Sequence, residues 1–416
     1  MALSSFDLTA ALRAVRQATE QLNKADHSAD QRSKALQAMG QAIAQHQDDI
    51  LEANTLDLEI SRDMAVPDLV VDWLKLTPER VQTAASIFQR LALVGATLPS
   101  TNTEGGTSSH HTRPIGIVGF IYEAFPDLGA IAAALCIRTG NALVLKGGSE
   151  ASRTNQIIAS ILQRTLEEVG LPPELIFPIE SPDISRLDIA QCPSLDLIIP
   201  HGRPSLVEQI VKQAIVPVIP SRMGNCYLYW SASGSLEQVY QMIAQSHTGT
   251  PDAVNRIEKV LVHEAHSENA VNRLWNRLQE NGFMIRANEV MLSWRMPSTP
   301  IDDKLAATSD EEWSTAYLKR TVAFRQVKDN STAIRWINAY SSGHADSIAT
   351  ADYSVSRKFI SRCHSAAIYI NASPQFVRNA RHTSEIALGA SNYKGIGSGL
   401  IGMAVMQSHQ RIFHDY

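Results

Sequence analysis

Apolar residues recur at helical spacing through the first ninety positions of the chain. Leu8, Leu12, Val15 and Leu22 follow one another at intervals close to the 3.6-residue repeat, with charged residues between them. This pattern predicts a layer of helices whose polar side faces solvent. The segment 98–112 (LPSTNTEGGTSSHHT) is polar, contains glycine and has no period, which predicts a loop or an exposed hairpin arm.

After Arg113 the pattern changes to short apolar runs that alternate with helical stretches. The run Ile115–Tyr122 is almost continuously apolar, as in a strand that is covered on both faces. Pro126 suits the first turn of the following helix, which is expected to end at Gly140, and Ala142–Lys146 is the next strand. Further candidate strands are Leu175–Ile179, Leu195–Ile199, Val216–Ile219 and Cys226–Trp230. Short buried strands alternating with helices predict a parallel, doubly wound sheet.

A second alternation of strands and helices begins near His247. Its candidate strands are Val260–His263, Phe283–Arg286, Ser347–Ala349 and Ala366–Asn371. The segment 291–310 is rich in Pro, Ser and Asp and is expected to be an irregular connection. Residues 402–416 are too apolar for a free tail and are expected to dock on the protein. The fold class is therefore α/β, with two domains.

Composition and charge narrow the classes of function. With 44% hydrophobic residues among 416, the chain can bury two cores. A net charge of -5 without long single-sign runs disfavours binding to nucleic acid. The four cysteines lie far apart and without zinc-site spacing, so we expect no metal site and reduced thiols, as in a cytoplasmic protein. No stretch reaches the ~20 apolar residues that span a bilayer, so we expect no membrane association.

The segment 146–155 (KGGSEASRTN) follows a predicted parallel strand, at the edge where open α/β sheets usually bind ligands. Its two glycines would let a bulky group approach the backbone, the helix predicted from Ser149 would present unpaired N–H groups, and Lys146 adds a positive charge. A phosphate-bearing ligand fits this pattern, and so does an ordinary strand-to-helix turn with a serine cap. The candidate cofactor-binding residues here are Lys146, Gly147, Gly148, Ser149 and Glu150.

A second turn, HGRPS, follows the strand that ends near Pro200. His201, Gly202 and Arg203 are expected beside the same crevice, where they could contact phosphate or nicotinamide. The alternative is a loop of exposed polar residues, because one histidine is weak evidence for a site.

Taken with these two turns, five longer segments resemble the gamma-glutamyl phosphate reductases (glutamate-5-semialdehyde dehydrogenases), a branch of the aldehyde dehydrogenase superfamily. They are RPIGIVGFIYEAFPDLGAIAAALCIRTGNALVLKGGSEA, VPVIPSRMGNCYLYW, TPDAVNRIEKVLVH, INAYSSGHADSIAT and AAIYINASPQF, in the family's order. The resemblance implies a helical N-terminus and Rossmann-like NADP-binding domain over 1–245. It also implies a catalytic α/β domain over 246–375 and a return segment with an oligomerisation tail over 376–416. The arm 98–113 and the tail would form an oligomerisation flap, and the protein would be a homo-oligomer.

The resemblance also implies a reaction, the reduction of L-glutamyl 5-phosphate by NADPH to glutamate 5-semialdehyde in proline biosynthesis. In the family a cysteine thiolate displaces phosphate to form a thioester. Here Pro251, Asn255 and Glu258 align the matching stretch and place Val254 at the nucleophile position. Since valine has no lone pair to attack with, we expect the reaction to be lost or strongly impaired. Asn255 is carried over as a candidate catalytic residue.

Other positions depart from the family pattern. Phe125 replaces an arginine for the substrate phosphate, and Asp127 replaces the asparagine that stabilises the oxyanion. A carboxylate facing a developing oxyanion raises the barrier by charge repulsion. His201 and Arg203 stand where the family has arginine and glycine, and residues 377–385 replace a glycine-rich loop. Cys226 is expected in the core rather than as a substitute nucleophile.

Several hypotheses stay open at this point. The chain could be an ordinary reductase, or a catalytically silent paralogue that binds a nucleotide and partners an active reductase or the glutamate kinase. A third possibility is an altered enzyme in which Asp127 and His201 carry out acid–base chemistry on another small-molecule substrate. His344 and Asp346 could form a base with its carboxylate, and His110 and His111 could bind a stray metal, although both are better explained structurally.

Overall fold

The computed structural model describes residues 7–24, 28–94, 108–249, 253–295, 304–380, 385–392 and 399–413. The chain divides into two units. Unit 1 comprises Met1–Ser221, Arg378–Leu388 and Ile401–Tyr416, and unit 2 comprises Arg222–Val377 and Gly389–Leu400. The expected boundary at 245 is therefore wrong. The strand Cys226–Trp230 belongs to the sheet of unit 2, because it pairs with Ile257–His263 and Ala345–Ala349. The segment 376–416 is not one piece, since both units contain part of it.

Unit 1 begins with the predicted helical layer. The five helices are α1 (Leu8–Lys24), α2 (Ser28–Gln45), α3 (Gln47–Asp63), α4 (Asp68–Leu74) and α5 (Pro78–Leu93). Helix α1 buries Leu12, Val15 and Leu22 on one side, as the spacing predicts. Helix α5 begins where the Thr77 hydroxyl accepts a hydrogen bond from the N–H of Arg80 and where Pro78 occupies the first turn.

A four-stranded parallel sheet forms the centre of unit 1, in the order β4-β3-β2-β5. Its strands are β2 (Ile117–Tyr122), β3 (Ala142–Lys146), β4 (Ile176–Pro178) and β5 (Leu197–His201). The helices that follow β2, β3, β4 and β5 are α6 (Pro126–Thr139), α7 (Ser152–Glu168), α8 (Arg186–Ala190) and α9 (Pro204–Gln213). Every residue of β2 is buried, which explains its unbroken apolar run. The predicted strand at 216–219 is reduced to a single bridge at Val218, because Pro217 and Pro220 lack the N–H groups of a ladder.

A two-stranded antiparallel ribbon completes unit 1. Strand β1 (Ser108–Pro114) pairs with the last strand, β13 (Gln407–Phe413). The polar arm and the C-terminal segment therefore do meet, as expected, while residues 95–107 lie outside the described ranges. Ahead of β13, Val405 and Met406 are buried, and the Asn141 side chain donates a hydrogen bond to the Met406 carbonyl at 2.8 Å. The prediction that this segment docks is confirmed, and the assembly of copies through it stays a prediction.

Unit 2 contains a seven-stranded parallel sheet in the order β12-β11-β6-β7-β10-β8-β9. Its strands are β6 (Cys226–Trp230), β7 (Ile257–His263), β8 (Met284–Ala287), β9 (Leu305–Ala307), β10 (Thr321–Val327), β11 (Ala345–Ala349) and β12 (Ala367–Ile370). The helices are α10 (Leu236–Ser246), α11 (Glu268–Glu280), α12 (Glu289–Leu292), α13 (Asn330–Tyr340) and α14 (Tyr353–Arg362). Strands β9 and β10 were not predicted, because β9 is only three residues long and Arg325 and Gln326 interrupt the apolar run of β10.

The expected irregular connection at 291–310 contains the end of α12 and strand β9, and residues 296–303 lie outside the described ranges. So do residues 381–384 of the segment expected to replace a glycine-rich loop. No helix among the described residues is both long and apolar enough to cross a bilayer.

Candidate functional site

A cavity of about 920 Å³ opens in unit 1 where the four parallel strands end. Residues after the last positions of β2, β3, β4 and β5 all contribute to its lining, as the geometry of parallel sheets predicts. Of the predicted cofactor residues, the lining includes Lys146, Gly147, Gly148, Ser149 and Glu150, together with Arg203. It does not include His201 or Gly202.

The two glycines of the first turn make room for the chain's own side chains. A Cβ added at Gly148 would lie 1.9 Å from Glu150 Oε1, and one at Gly147 would lie 2.2 Å from Asn155 Nδ2. The carboxylate of Glu150 is fixed by the N–H of Ala124 at 2.7 Å. Glu150 and Asn155 therefore lie against these glycines, and the approach of a bulky ligand to the backbone there stays a prediction.

The start of the following helix is closed by an aspartate. Residues Ser149–Ala151 form a short 3₁₀ turn, and α7 begins only at Ser152. Asp57 on α3 accepts hydrogen bonds from the N–H groups of Arg153 at 3.2 Å and Thr154 at 2.8 Å, and from the Thr154 hydroxyl at 2.6 Å. The prediction of unpaired N–H groups is thus wrong at these two positions, since a carboxylate from a distant helix satisfies them.

Lys146 and Arg186 place positive charge at one end of the cavity. The Lys146 ammonium donates hydrogen bonds to the carbonyls of Ile179 at 3.4 Å and Ser181 at 3.1 Å, just after β4. Burial, followed by the charge of Arg186, lowers the pKa of Lys146. Both side chains, together with Glu180, belong to the lining of the cavity.

Arg203 is paired with Glu123 in the same cavity. Its guanidinium donates to the carboxylate at 2.9 Å from Nε and 2.6 Å from Nη2, and its backbone N–H adds a third hydrogen bond at 3.2 Å. Burial raises the pKa of Glu123, but the hydrogen bonds from Arg203 outweigh burial and leave the pKa below its ordinary value. Glu123 is therefore ionised. We call its ion pair with Arg203 the Arg203–Glu123 clamp, and this clamp narrows the cavity where the two residues line it.

His201 lies in the core instead of beside the crevice. The side chain is fully buried, its Nδ1 lies 2.8 Å from the Ser221 hydroxyl, and its ring packs edge-on against Phe125 with centroids 5.2 Å apart. Burial lowers the pKa of His201 to about 3, so the imidazole is neutral. Gly202 has a φ of 146°, and a Cβ there would lie 2.9 Å from Glu123 Cβ, so its role is to let the chain turn.

Phe125 and Asp127 are both built into the fold of unit 1. Ala124 and Phe125 adopt left-handed φ angles of 53° and 44°, and the Phe125 ring stacks on Trp73 at 4.9 Å. The Asp127 carboxylate, only 10% exposed, forms a two-pronged ion pair with Arg80 of α5, to Nε at 3.2 Å and to Nη2. Asp127 therefore does not present an unpaired negative charge, and Arg80 is a residue that the sequence did not single out.

In unit 2, Val254 is fully buried. Its carbonyl accepts a hydrogen bond from the N–H of Gly224 at 2.9 Å. The Asn255 amide donates to the Pro374 carbonyl at 2.8 Å, which makes it a structural tie. The alignment marker Glu258 accepts three backbone N–H bonds, from Asn225, Tyr317 and Leu318 at 2.7–2.9 Å. Pro251, the third marker, lies outside the described residues.

Cys226 is the thiol nearest to this segment in the hydrogen-bond pattern. Its Sγ lies 3.3 Å from His344 Nε2, which in turn lies 3.2 Å from the Val254 carbonyl oxygen. Cys226 and His344 are buried, and burial raises the pKa of the thiol well above its ordinary value and lowers that of the imidazole to about 4. A protonated thiol beside a neutral imidazole is not a nucleophile, and Cys136, Cys192 and Cys363 are buried as well.

Asp346 binds hydroxyls and a backbone N–H instead of His344. Its carboxylate accepts from Ser341 at 2.7 and 2.8 Å, from Ser365, and from the N–H of Tyr227 at 2.7 Å. The catalytic pairing with His344 considered from the sequence is not formed. No group of three or more His, Cys, Asp or Glu side chains that could hold a metal occurs among the described residues.

Comparisons with known proteins point to one protein family. Residues 2–284 match the aldehyde dehydrogenase family model. The chain is 43% identical to gamma-glutamyl phosphate reductase 2 of Synechocystis sp., over 93% of this chain and 92% of that protein. It is 34% identical to the gamma-glutamyl phosphate reductase of Gloeobacter violaceus, over 89% and 88% of the two chains. The crystal structure of the gamma-glutamyl phosphate reductase from Thermotoga maritima superposes with a TM-score of 0.85 at 27% identity, covering 98% of both chains.

Proposed function

Because the chain belongs to the aldehyde dehydrogenase family, in its gamma-glutamyl phosphate reductase branch, we propose that it binds NADP(H) in the cavity of unit 1. We propose further that it has lost the reduction of L-glutamyl 5-phosphate or retains it only in strongly impaired form. Enzymes of this family depend on NAD(P). The observation that carries the second statement is Val254, which stands at the nucleophile position and is fully buried.

The cavity fits a dinucleotide in size and in chemistry. At about 920 Å³ it lies in the upper part of the range usual for cofactor sites. Lys146 and Arg186 offer donors, and Val66, Pro67 and Val70 offer apolar surface for a base. A bound nicotinamide would supply hydride. The protein's own part is to orient the ligand through these side chains and to keep the Arg203–Glu123 clamp beside it.

The covalent step of the family has no candidate residue in the described part of unit 2. A valine cannot form the thioester, and Cys226 is held as a buried, protonated thiol. Loss of a nucleophile in other enzymes costs on the order of 10⁴-fold or more in turnover. The altered-enzyme hypothesis has no support either, because His201 is a neutral core residue and Asp127 is ion-paired with Arg80.

The decisive assay runs the family reaction in reverse, as oxidation of the semialdehyde, because this direction produces NADPH that can be followed. The purified protein is mixed with glutamate 5-semialdehyde, phosphate and NADP⁺, and formation of NADPH is followed, with the Thermotoga maritima reductase as a positive control. We expect a rate at least about 10⁴-fold below that of the control. A rate within tenfold of the control would refute the loss of activity and leave an ordinary reductase as the function.

If the chain is silent, its function is binding. We propose that it then acts as a nucleotide-dependent partner of an active reductase or of the glutamate kinase, in the cytoplasm, and that it forms a homo-oligomer through the β1–β13 ribbon. The ribbon supports this proposal, because β13 is mostly exposed and a two-stranded ribbon has two unpaired edges. Sedimentation of the protein alone and mixed with glutamate kinase, with and without NADPH, tests it. A protein that sediments as a monomer, with or without glutamate kinase and NADPH, would refute it.

A further inference from the structure

We propose that copies of this chain bind one another through two faces of opposite charge. The acidic face, in unit 1, consists of exposed residues in and just after α3, namely Glu52, Leu56, Glu59, Ile60, Asp63 and Met64. The basic face, in unit 2, consists of exposed residues of α13 and α14, namely Arg335, Tyr353, Arg357, Lys358, Ile360 and Arg362. The proposal involves neither the cavity nor the β1–β13 ribbon, and it does not depend on the proposed function.

Apolar and acidic side chains lie together on one side of α3. Leu56, Ile60 and Met64 recur every four residues, and Met64 is 63% exposed. Glu59 lies three positions after Leu56, and Asp63 lies three positions after Ile60, which places both on the same side of the helix. Apolar surface that is bordered by charged residues is typical of a site that binds another protein.

Basic charge offsets little of the acidic face. Arg62 is the single Lys or Arg of α3, and it lies two positions from Ile60, on a different side of the helix. Within the described residues, the side chains of Glu52, Glu59 and Asp63 form no ion pair. Three exposed carboxylates are therefore available to a cationic partner.

The outer side of α13 and α14 carries the opposite charge. Neither helix contains Asp or Glu, and both pack on the same face of the seven-stranded sheet, because their buried residues belong to one core. The two helices also contact each other, so Arg335 of α13 adjoins the cations of α14. Arg357, Lys358 and Arg362 form no ion pair in the part of the chain that the structure describes.

Exposed apolar side chains accompany these cations too. Tyr353 is 78% exposed, and Ile360 is exposed seven positions later, two turns along the same side of α14. Arg357 lies between them. The carboxylates of Asp329 and Asp352 stand at the starts of the two helices, where each accepts backbone N–H groups and the helix dipole offsets its charge. The face therefore stays basic.

The two faces complement each other. Each combines exposed apolar side chains with charges of one sign, and the two signs are opposite. Contact between copies would pair carboxylates with ammonium and guanidinium groups and would remove apolar surface from water. The residues of both faces are exposed in the single chain, so both faces are open to another molecule. Because the chain as a whole carries a net charge of -5, the attraction is local and sensitive to salt.

The test measures association of the full chain by sedimentation velocity at about 50 mM and about 500 mM NaCl. Two triple variants reverse one face each. The all-acidic variant carries Arg357→Glu, Lys358→Glu and Arg362→Glu, and the all-basic variant carries Glu52→Lys, Glu59→Lys and Asp63→Lys. At the lower salt concentration, we expect each variant alone to associate at least about tenfold more weakly than the unmodified protein. The higher salt concentration should weaken the unmodified protein to a similar extent.

An equimolar mixture of the two variants should recover association, because every contact between the unlike variants again joins opposite charges. A control variant changes the net charge as the all-acidic variant does, but outside both faces, through Arg273→Glu, Lys319→Glu and Lys212→Glu. It should stay within about threefold of the unmodified protein. An unchanged thermal midpoint shows that each variant is folded.

Three results would overturn the contact between copies. Association of both reversed variants as strong as that of the unmodified protein would leave the ribbon as the interface. A mixture that stays as weakly associated as its components would show that the two faces do not meet. An unmodified protein that is monomeric at both salt concentrations would leave the faces to a partner of another sequence.

Discussion

The cavity of unit 1 and the Val254 segment of unit 2 differ in whether their side chains can reach a ligand. The cavity keeps polar and charged side chains directed at an open volume, whereas Val254 is fully buried and its neighbours bond to backbone. A binding site needs only complementary groups, but a covalent step needs one atom with the right reactivity. Under the proposed function, valine at position 254 would remove the reaction and leave the lining of the cavity unchanged.

The largest expected effect tests this comparison by introducing a thiol at position 254. Val254→Cys places a thiol at the proposed nucleophile position, while Phe125 and Asp127 still stand where the resemblance implies an arginine and an asparagine. We expect NADPH formation from the semialdehyde to stay at the blank, roughly 10⁴-fold below an active reductase. The conservative Val254→Ala variant is the control for handling and folding. Recovery to within a hundredfold of an active reductase by the cysteine alone would show that the other departures matter little.

A second prediction concerns whether the substituted positions have become structural. Arg80→Met leaves the carboxylate of Asp127 buried without its partner, so we expect the free energy of unfolding to fall by about 3–5 kcal/mol. Adding Asp127→Asn should recover part of the loss. Urea unfolding followed by far-UV circular dichroism measures it. Arg277→Met, which breaks the more exposed Arg277–Glu237 pair, is the control and should cost about 1 kcal/mol or less. Equal losses in the two variants would contradict a buried role for Arg80.

The third and smallest effect is a pH dependence within unit 2. Burial raises the pKa of Asp346 to about 6, above its ordinary value of 3.8. The protonated acid is thus favoured by the fold, so its contribution is complete below about pH 4 and is lost as the pH rises through 6. Relative to Asp346→Asn, the wild type should gain roughly 2–4 kcal/mol between pH 7 and pH 4.

Urea midpoints followed by tryptophan fluorescence measure this difference, since five of the six tryptophans lie in unit 2. Burial lowers the pKa of His201, His247 and His344 to about 3 or 4, so these residues destabilise the fold on acidification. They are present in both proteins and cancel in the comparison. The exposed Asp310→Asn is the control variant, and a flat difference between pH 7 and pH 4 would contradict the raised pKa of Asp346.

Local signals explain why much of the fold was predictable. Strands β2 and β3 follow from unbroken apolar runs, the turn after β3 follows from Lys146 and the two glycines behind it, and the cavity lies where those runs end. The neighbours Asn255 and Glu258 aligned Val254 with the family's nucleophile position. In the structure, the side chains of Asn255 and Glu258 are hydrogen-bonded to backbone groups.

Partners that lie far apart in the sequence explain what was missed. Asp57 and Arg80 come from helices that precede the sheet, and neither differs in pattern from any other charged residue on a helix. His201 ends β5 as expected, but a sequence does not reveal which way a ring turns, and this one packs on Phe125. Such side-chain pairings decide the chemistry of a site without leaving a periodic signal.

The ribbon formed by β1 and β13 has a consequence for how the polypeptide matures on the ribosome. Arg113 and its hydrogen-bond partner Gln410 are 297 positions apart, and all the residues of unit 2 are translated between them. Unit 2 can therefore finish folding first, while strand β1 of unit 1 has no partner strand until translation is nearly over. A nascent chain stalled before residue 401 would expose that edge to chaperones or to other chains.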